Sequence, residues 1–235
     1  MDFINFNWYQ DYSLFIEYLK SISDTKYKEF STKLTPTKYE MLGIRIPMLR
    51  SIAKTISKGD YKVFLSIVGN TYFEEVMLKC LVISHIKDLN ELMEYFYSCV
   101  DLIDNWAIND TFCNSLKIVN NNKTYFLSVI DKLIKSNKEY HLRVGLIILL
   151  NYYIEEEYLP IIFNYLDLIN NDLYYVDMAM AWLLCEVFVK YPDITLKYFE
   201  NNKLNKFTIN KSISKIRDSY RVSKEIKDYI LKFKK

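Results

Sequence analysis

Four glycines and four prolines are all that punctuate 235 residues. An all-β domain needs far more residues suited to tight turns, so that class is set aside and a nearly all-helical chain is expected. Cysteine is sparse too: Cys80, Cys99, Cys113 and Cys185 stand far apart in apolar text with no Cys-x-x-Cys pair, and His85 and His141, the two histidines, sit at no ligand spacing. Neither a disulfide framework nor a zinc site is indicated. The thiols read as core residues of a protein in a reducing compartment, the cytoplasm. No apolar run reaches about 18 residues without a charge, which argues against a membrane span. The opening Met-Asp-Phe-Ile-Asn-Phe-Asn-Trp carries acid where a signal peptide carries base.

What is present is apolar and helical. Hydrophobic residues make up 51% of the chain, enough to bury a sizeable core as one domain or as an elongated stack of small units. We treat 1–235 as a single helical-repeat domain. Periodicity predicts helices at 8–21, 25–33, 47–57, 60–69, 73–86, 88–99, 103–118, 122–135, 138–152, 155–169, 172–190, 193–202, 208–218 and 223–233. Pro36 and Pro47 bracket a loop, Gly59-Asp60 starts a helix, Asn120-Asn121-Asn122 breaks one and Pro192 follows another. Most helices pair with a period of roughly 35 to 45 residues, that of HEAT-type repeats. The segments 138–152 and 178–189 are apolar on nearly every face and are expected as inner helices. An α-solenoid of such pairs exposes a concave surface, where a polar or aromatic residue protruding from an inner helix becomes a site candidate.

Net charge is only +2, but its distribution is uneven. Residues 26–62 hold nine Lys/Arg against three Asp/Glu, and residues 203–235 hold eleven against three; the remainder holds eleven against twenty-three. Two basic ends around an acidic middle suit a polyanion gripped from both sides, or equally a set of solvated helix faces.

Four residues stand out against greasy helical text. Trp106 and Asp110, in Asp-Asn-Trp-Ala-Ile-Asn-Asp, are four apart and share a helix face. An acid beside an aromatic ring can stabilise a developing cation, the one by charge and the other by its quadrupole. Arg143 opens the run Val-Gly-Leu-Ile-Ile-Leu-Leu, with Glu139 as a possible local partner, and Trp182 lies within Ala-Met-Ala-Trp-Leu-Leu-Cys. Each has a plainer reading: both tryptophans as core, and Asn109-Asp110-Thr111 as the cap of a helix running to Val119.

The ordered segments Gly-Ile-Arg-Ile-Pro-Met-Leu-Arg at 43–50, Tyr-Phe-Glu-Glu-Val-Met-Leu-Lys at 72–79, Ile-Asp-Asn-Trp-Ala-Ile-Asn-Asp at 103–110 and Lys-Ile-Arg-Asp-Ser-Tyr-Arg-Val-Ser at 215–223 together resemble the DNA alkylation repair family of HEAT-repeat DNA glycosylases, the AlkD-like proteins. The resemblance implies Asp110 as the catalytic acid, Trp106 and Trp182 as an aromatic cleft, and Arg143 as a contact to backbone phosphate. It implies hydrolysis of the N-glycosidic bond of cationic alkylated purines, notably N3-methyladenine and N7-methylguanine, in double-stranded DNA. No metal or cofactor is implied, and the duplex is expected to be held at a shallow cleft without a flipped-base pocket. Further phosphate contacts are expected at Arg217 and Arg221, then Lys211 and Lys215, and a monomer away from membranes is expected. The competing readings are a non-catalytic helical module that binds damaged or branched DNA and a protein-binding HEAT scaffold.

Overall fold

Asn7, Asp24, Asp60, Asp88, Asn105 and Asn205 each stand immediately before an apolar-periodic run, and each side chain accepts a backbone N–H from the first turn of the helix it precedes. Such caps satisfy donors that a helix start leaves orphaned. The computed structural model describes residues 2–170 and 172–235. Among these residues the architecture is all-α, with extended pairing confined to a single parallel bridge between Glu40 and Tyr72.

The chain divides into two compact units, one ending at Ile118 and the other beginning at Val119. The first contains α1 (Trp8–Ser21), α2 (Thr25–Leu34), α3 (Ile46–Ile56), α4 (Tyr61–Ile67), α5 (Phe73–Ile83), α6 (Leu89–Val100) and α7 (Trp106–Ser115). Alternate helices stack: α5 packs on α3 and on α7, while α4 and α6 cover it from the partner layer. α5 is accordingly buried at ten of its eleven positions. The second unit contains α8 (Lys123–Ile134), α9 (Glu139–Tyr152), α10 (Leu159–Leu168), α11 (Tyr174–Lys190), α12 (Pro192–Glu200), α13 (Lys206–Asp218) and α14 (Lys224–Tyr229). Here α11 lies between α9 and α13, with α8 against α9 and α12 against α11. The two segments expected as inner helices are α9 and α11, and their all-round apolarity is used as expected. Within each unit this alternation is the packing of an α-solenoid.

Three expected helices break where local chemistry prevails over periodicity. The 103–118 segment becomes α7 alone, followed by a 3-10 turn over Lys117–Asn121 in the Asn-rich text. The 155–169 segment opens with a 3-10 turn, Glu156–Tyr158, because Pro160 has no N–H to donate and belongs in the first turn of α10. The 223–233 segment tightens after Tyr229 into a 3-10 end, Ile230–Phe233.

The loop that leads into α3 is held by one buried acid. Glu74, 1% exposed on α5, accepts N–H groups from Leu42, Gly43 and Ile44 at 2.9, 2.8 and 3.1 Å. Gly43 has φ +96°, and a Cβ there would come within 2.7 Å of the Asp24 carbonyl oxygen, so the turn needs glycine. Glu74→Ala strands three buried donors, each costing about 1 kcal/mol or more, and should lower unfolding free energy by about 3 kcal/mol or more in a urea titration. A loss below about 1 kcal/mol would show that the loop is held by something else.

All four cysteines are buried and unpaired by disulfides, as core thiols should be. Cys80 on α5 and Cys99 on α6 lie 2.8 Å apart, Sγ to Sγ, and burial, with the neighbouring Cys80 thiol, holds the Cys99 thiol well above the usual range.

Candidate functional site

α7 begins at the first tryptophan of interest, Trp106, directly after its cap. Asn105, fully buried, caps the helix by accepting the Ile108 N–H at 3.0 Å. Its own amide donates to Asp104 at 2.8 Å. Asp104 in turn accepts the Thr37 hydroxyl and, at 2.6 Å, the Lys38 N–H, which ties the helix start to the 37–38 loop. Trp106 is therefore the first helical residue and Asp110 lies one turn further in. The reading of Asn109-Asp110-Thr111 as a cap is corrected: the cap is Asn105, and Asp110 is interior to the helix. Asn105→Ala should cost about 1 kcal/mol, read as a lower melting temperature, and should fray the turn that carries Trp106. A melting temperature equal to that of the wild type would show the cap to be dispensable.

Both residues occupy the uncovered stripe of α7. Trp106, Ala107, Asp110, Thr111, Asn114 and Ser115 are half-buried or exposed, while Ile108, Asn109, Phe112 and Cys113 face the core. The Trp106 ring is half-buried and its indole N–H donates to the Leu34 carbonyl at 3.0 Å, which anchors the ring. Asp110 accepts the Asn109 amide N–H at 3.0 Å. The Asn109 Oδ1 is buried without a hydrogen-bond partner. A buried amide left half-satisfied is costly; the Asn109 Nδ2 also lies 3.9 Å from the Cys113 Sγ, so it joins the Asp110 carboxylate to the buried side of α7.

In the second unit α11 is buried on every side but one. The exceptions at helical spacing are Tyr175, Met178, Trp182, Glu186 and Val189. Trp182 is half-buried in the middle of that stripe. Both tryptophans thus differ from Trp8, which is 1% exposed and packed against Phe3, Phe6, Phe15 and Phe64 with ring centroids 4.6 to 6.0 Å away. Trp8 is a core residue, whereas Trp106 and Trp182 each keep part of their surface in solvent.

Arg143 is only 5% exposed on α9. Its Nη1 donates to the Tyr175 carbonyl at 2.6 Å, and Glu139 accepts the Tyr175 N–H at 3.2 Å. Leu173, at the N-cap of α11, has no side chain to offer as a cap, so Glu139 and Arg143 grip the first turn of α11 from α9. Arg143 is close enough to α13 to raise the local potential: Lys215 is held below the usual lysine range by burial first, then by Lys211, with Arg143 adding to it. Asp218 acts on Lys215 in the opposite sense and offsets part of that positive potential. Arg217 is exposed at the end of α13. Arg221 is bound to Glu186 at 2.8 Å, beside a cavity of about 530 Å³ also lined by Glu155 and Lys190, so a phosphate there would compete with carboxylates. Sequence reasoning missed Asn105 and Asn109. An Asx residue directly before Trp-Ala-Ile was a cap signal available in the text; the hold of Asn109 on its neighbour was not.

The sequence profile of the family described as DNA alkylation repair enzyme matches residues 15–216. That range takes in Trp106, Asp110, Arg143, Trp182, Lys211 and Lys215, and it stops short of Arg217 and Arg221. No curated protein matches the chain. With well over half of its length so matched, and an all-helical stack to carry the match, the chain belongs to the DNA alkylation repair enzyme family.

Proposed function

We propose that this chain is an AlkD-like monofunctional DNA glycosylase, which hydrolyses the N-glycosidic bond of cationic alkylated purines such as N3-methyladenine and N7-methylguanine in duplex DNA. Family membership supports a role in alkylation repair, with DNA as the partner. The finer reading is supported by the open stripe of α7, where a carboxylate not spent on capping stands one turn from an indole that is not spent on the core.

An alkylated purine already carries positive charge, so the C1′–N bond can break with its electron pair passing to the base, which leaves neutral. The positive charge moves to the deoxyribose as an oxocarbenium-like centre. Asp110 supplies the opposite charge there, and Trp106, one turn away on α7, offers a π face to the cation; the resemblance to AlkD-like proteins gives Trp182 a like role. Water adds to C1′ and loses its proton to Asp110 or to solvent, leaving free base and an abasic site. Arg143 acts on this reading by setting the first turn of the helix that carries Trp182, and with Lys211 and Lys215 by drawing the backbone towards it. The test is incubation of the full chain with duplex containing N7-methylguanine. Free base and an abasic site are the expected products. Duplex binding without base release would instead support the non-catalytic binding module.

A further inference from the structure

The C-terminal ends of α3, α5 and α7 converge on a cavity of about 360 Å³ within the first unit, lined by Arg50, Lys54, His85, Lys87, Asn114 and Lys117 among others. Four cations and an imidazole face one space, and among its described lining residues there is no carboxylate. Arg50 is anchored, donating from Nη1 to the Ser115 hydroxyl at 2.6 Å, and that hydroxyl donates to the Thr111 carbonyl at 2.7 Å. Helix C-termini attract cations, which accounts for one lysine at each helix end. It does not account for their convergence, since like charges brought together in a partly enclosed space repel one another. The effect is visible on His85, which burial first, then Lys87, Lys54 and Arg50, hold below the usual histidine range. On their other side His85 and Lys87 both line a second cavity with Tyr61, Asp88 and Glu91.

We propose that this cavity binds a backbone phosphodiester of the DNA strand beside the target nucleotide. The assignment rests on the reading of the chain as an enzyme acting on DNA. Trp106, Asp110 and Asn114 follow one another at four-residue intervals along the open stripe of α7, so the cavity rim at Asn114 lies just over one helical turn, roughly 6 Å along the axis, beyond Asp110. A phosphate seated among Arg50, Lys54, Lys87 and Lys117 would fix the strand to the same rigid helix that carries the carboxylate. Positioning of this kind is what holds a sugar against a catalytic group.

Lys54 and Lys87 are exposed, so the double variant Lys54→Gln/Lys87→Gln should fold normally, which a thermal melt checks. Duplex binding by fluorescence anisotropy over a sodium chloride series should be several-fold weaker at low salt, with the slope of log affinity against log salt smaller by roughly 0.9 for the phosphate lost. A proton NMR titration of His85 supplies the second readout. Duplex should raise its pKa in the wild type and much less in the variant, and inorganic phosphate should do so only at higher concentration. An unchanged slope, or a His85 titration that neither duplex nor phosphate moves, overturns the site and leaves the cations as neutralisers of helix ends. A His85 response to phosphate but not to duplex also overturns it, in favour of a small-anion site. Normal base release with an unchanged slope sinks this site alone. A smaller slope without base release sinks the glycosylase reading and leaves the site standing. No duplex binding by the wild type sinks both.

Discussion

Asp110→Asn should give a folded protein that still binds duplex DNA and releases alkylated base about 10²- to 10³-fold more slowly, the loss expected when one group aimed at transition-state charge is removed. The amide keeps the shape of the side chain and an oxygen to accept the Asn109 N–H seen at 3.0 Å, so local packing survives while the charge disappears. Because Asn105 and not Asp110 caps α7, the helix start is untouched and the melting temperature should stay near that of the wild type. Single-turnover release of N7-methylguanine, alongside a melting curve and an anisotropy titration, separates the three quantities. Full excision by the variant would remove Asp110 from the mechanism. A fall in stability of about 1 kcal/mol or more with excision intact would return it to a structural role.

The second large effect concerns the charge of the leaving group. The proposed mechanism includes no group to protonate a departing neutral base, so release would rely on a base that leaves unaided. Duplexes carrying N7- or N3-alkylpurines should release base, and a duplex carrying uracil should release none above the uncatalysed rate. Within the productive class, Trp106→Ala and Trp182→Ala should each slow release by roughly 2- to 30-fold, corresponding to a cation–π contribution of about 0.5 to 2 kcal/mol. Both rings are half-buried, so the accompanying loss of stability should fall below the roughly 3 to 5 kcal/mol typical of a fully buried tryptophan. For Trp106 it includes the bond to the Leu34 carbonyl, worth about 1 kcal/mol. Efficient release of uracil, or unchanged release by a folded variant lacking both rings, would place the chemistry elsewhere.

Much of the helical plan was readable because apolar periodicity is a local signal. The predicted 8–21, 25–33, 138–152 and 208–218 match α1, α2, α9 and α13 to within a residue or two. Interruptions were harder: the end of α7 at Ser115 carries no proline or glycine, and its 3-10 continuation arises from an Asn-rich stretch that periodicity alone reads through. Of the site, the pairing of Trp106 with Asp110 was visible from spacing. The condition of the arginines was not, because their partners are distant in sequence. Arg143 meets a backbone carbonyl 32 residues away and Arg221 meets Glu186, 35 residues earlier. A count of basic residues sees neither bond, and for 203–235 it takes no account of Glu186 beside Arg221.

The three tryptophans also form a natural optical system. Trp8 is sealed in the aromatic cluster of the first unit, whereas Trp106 and Trp182 each present ring surface on an open stripe. Emission from the sealed indole reports whether the fold is intact and is shielded from aqueous quenchers, while emission from the other two responds to whatever comes to lie on them. A ligand lying on Trp106 or Trp182 and an unfolded chain would thus leave different spectral signatures, with Trp8 as the internal reference that separates binding from loss of structure.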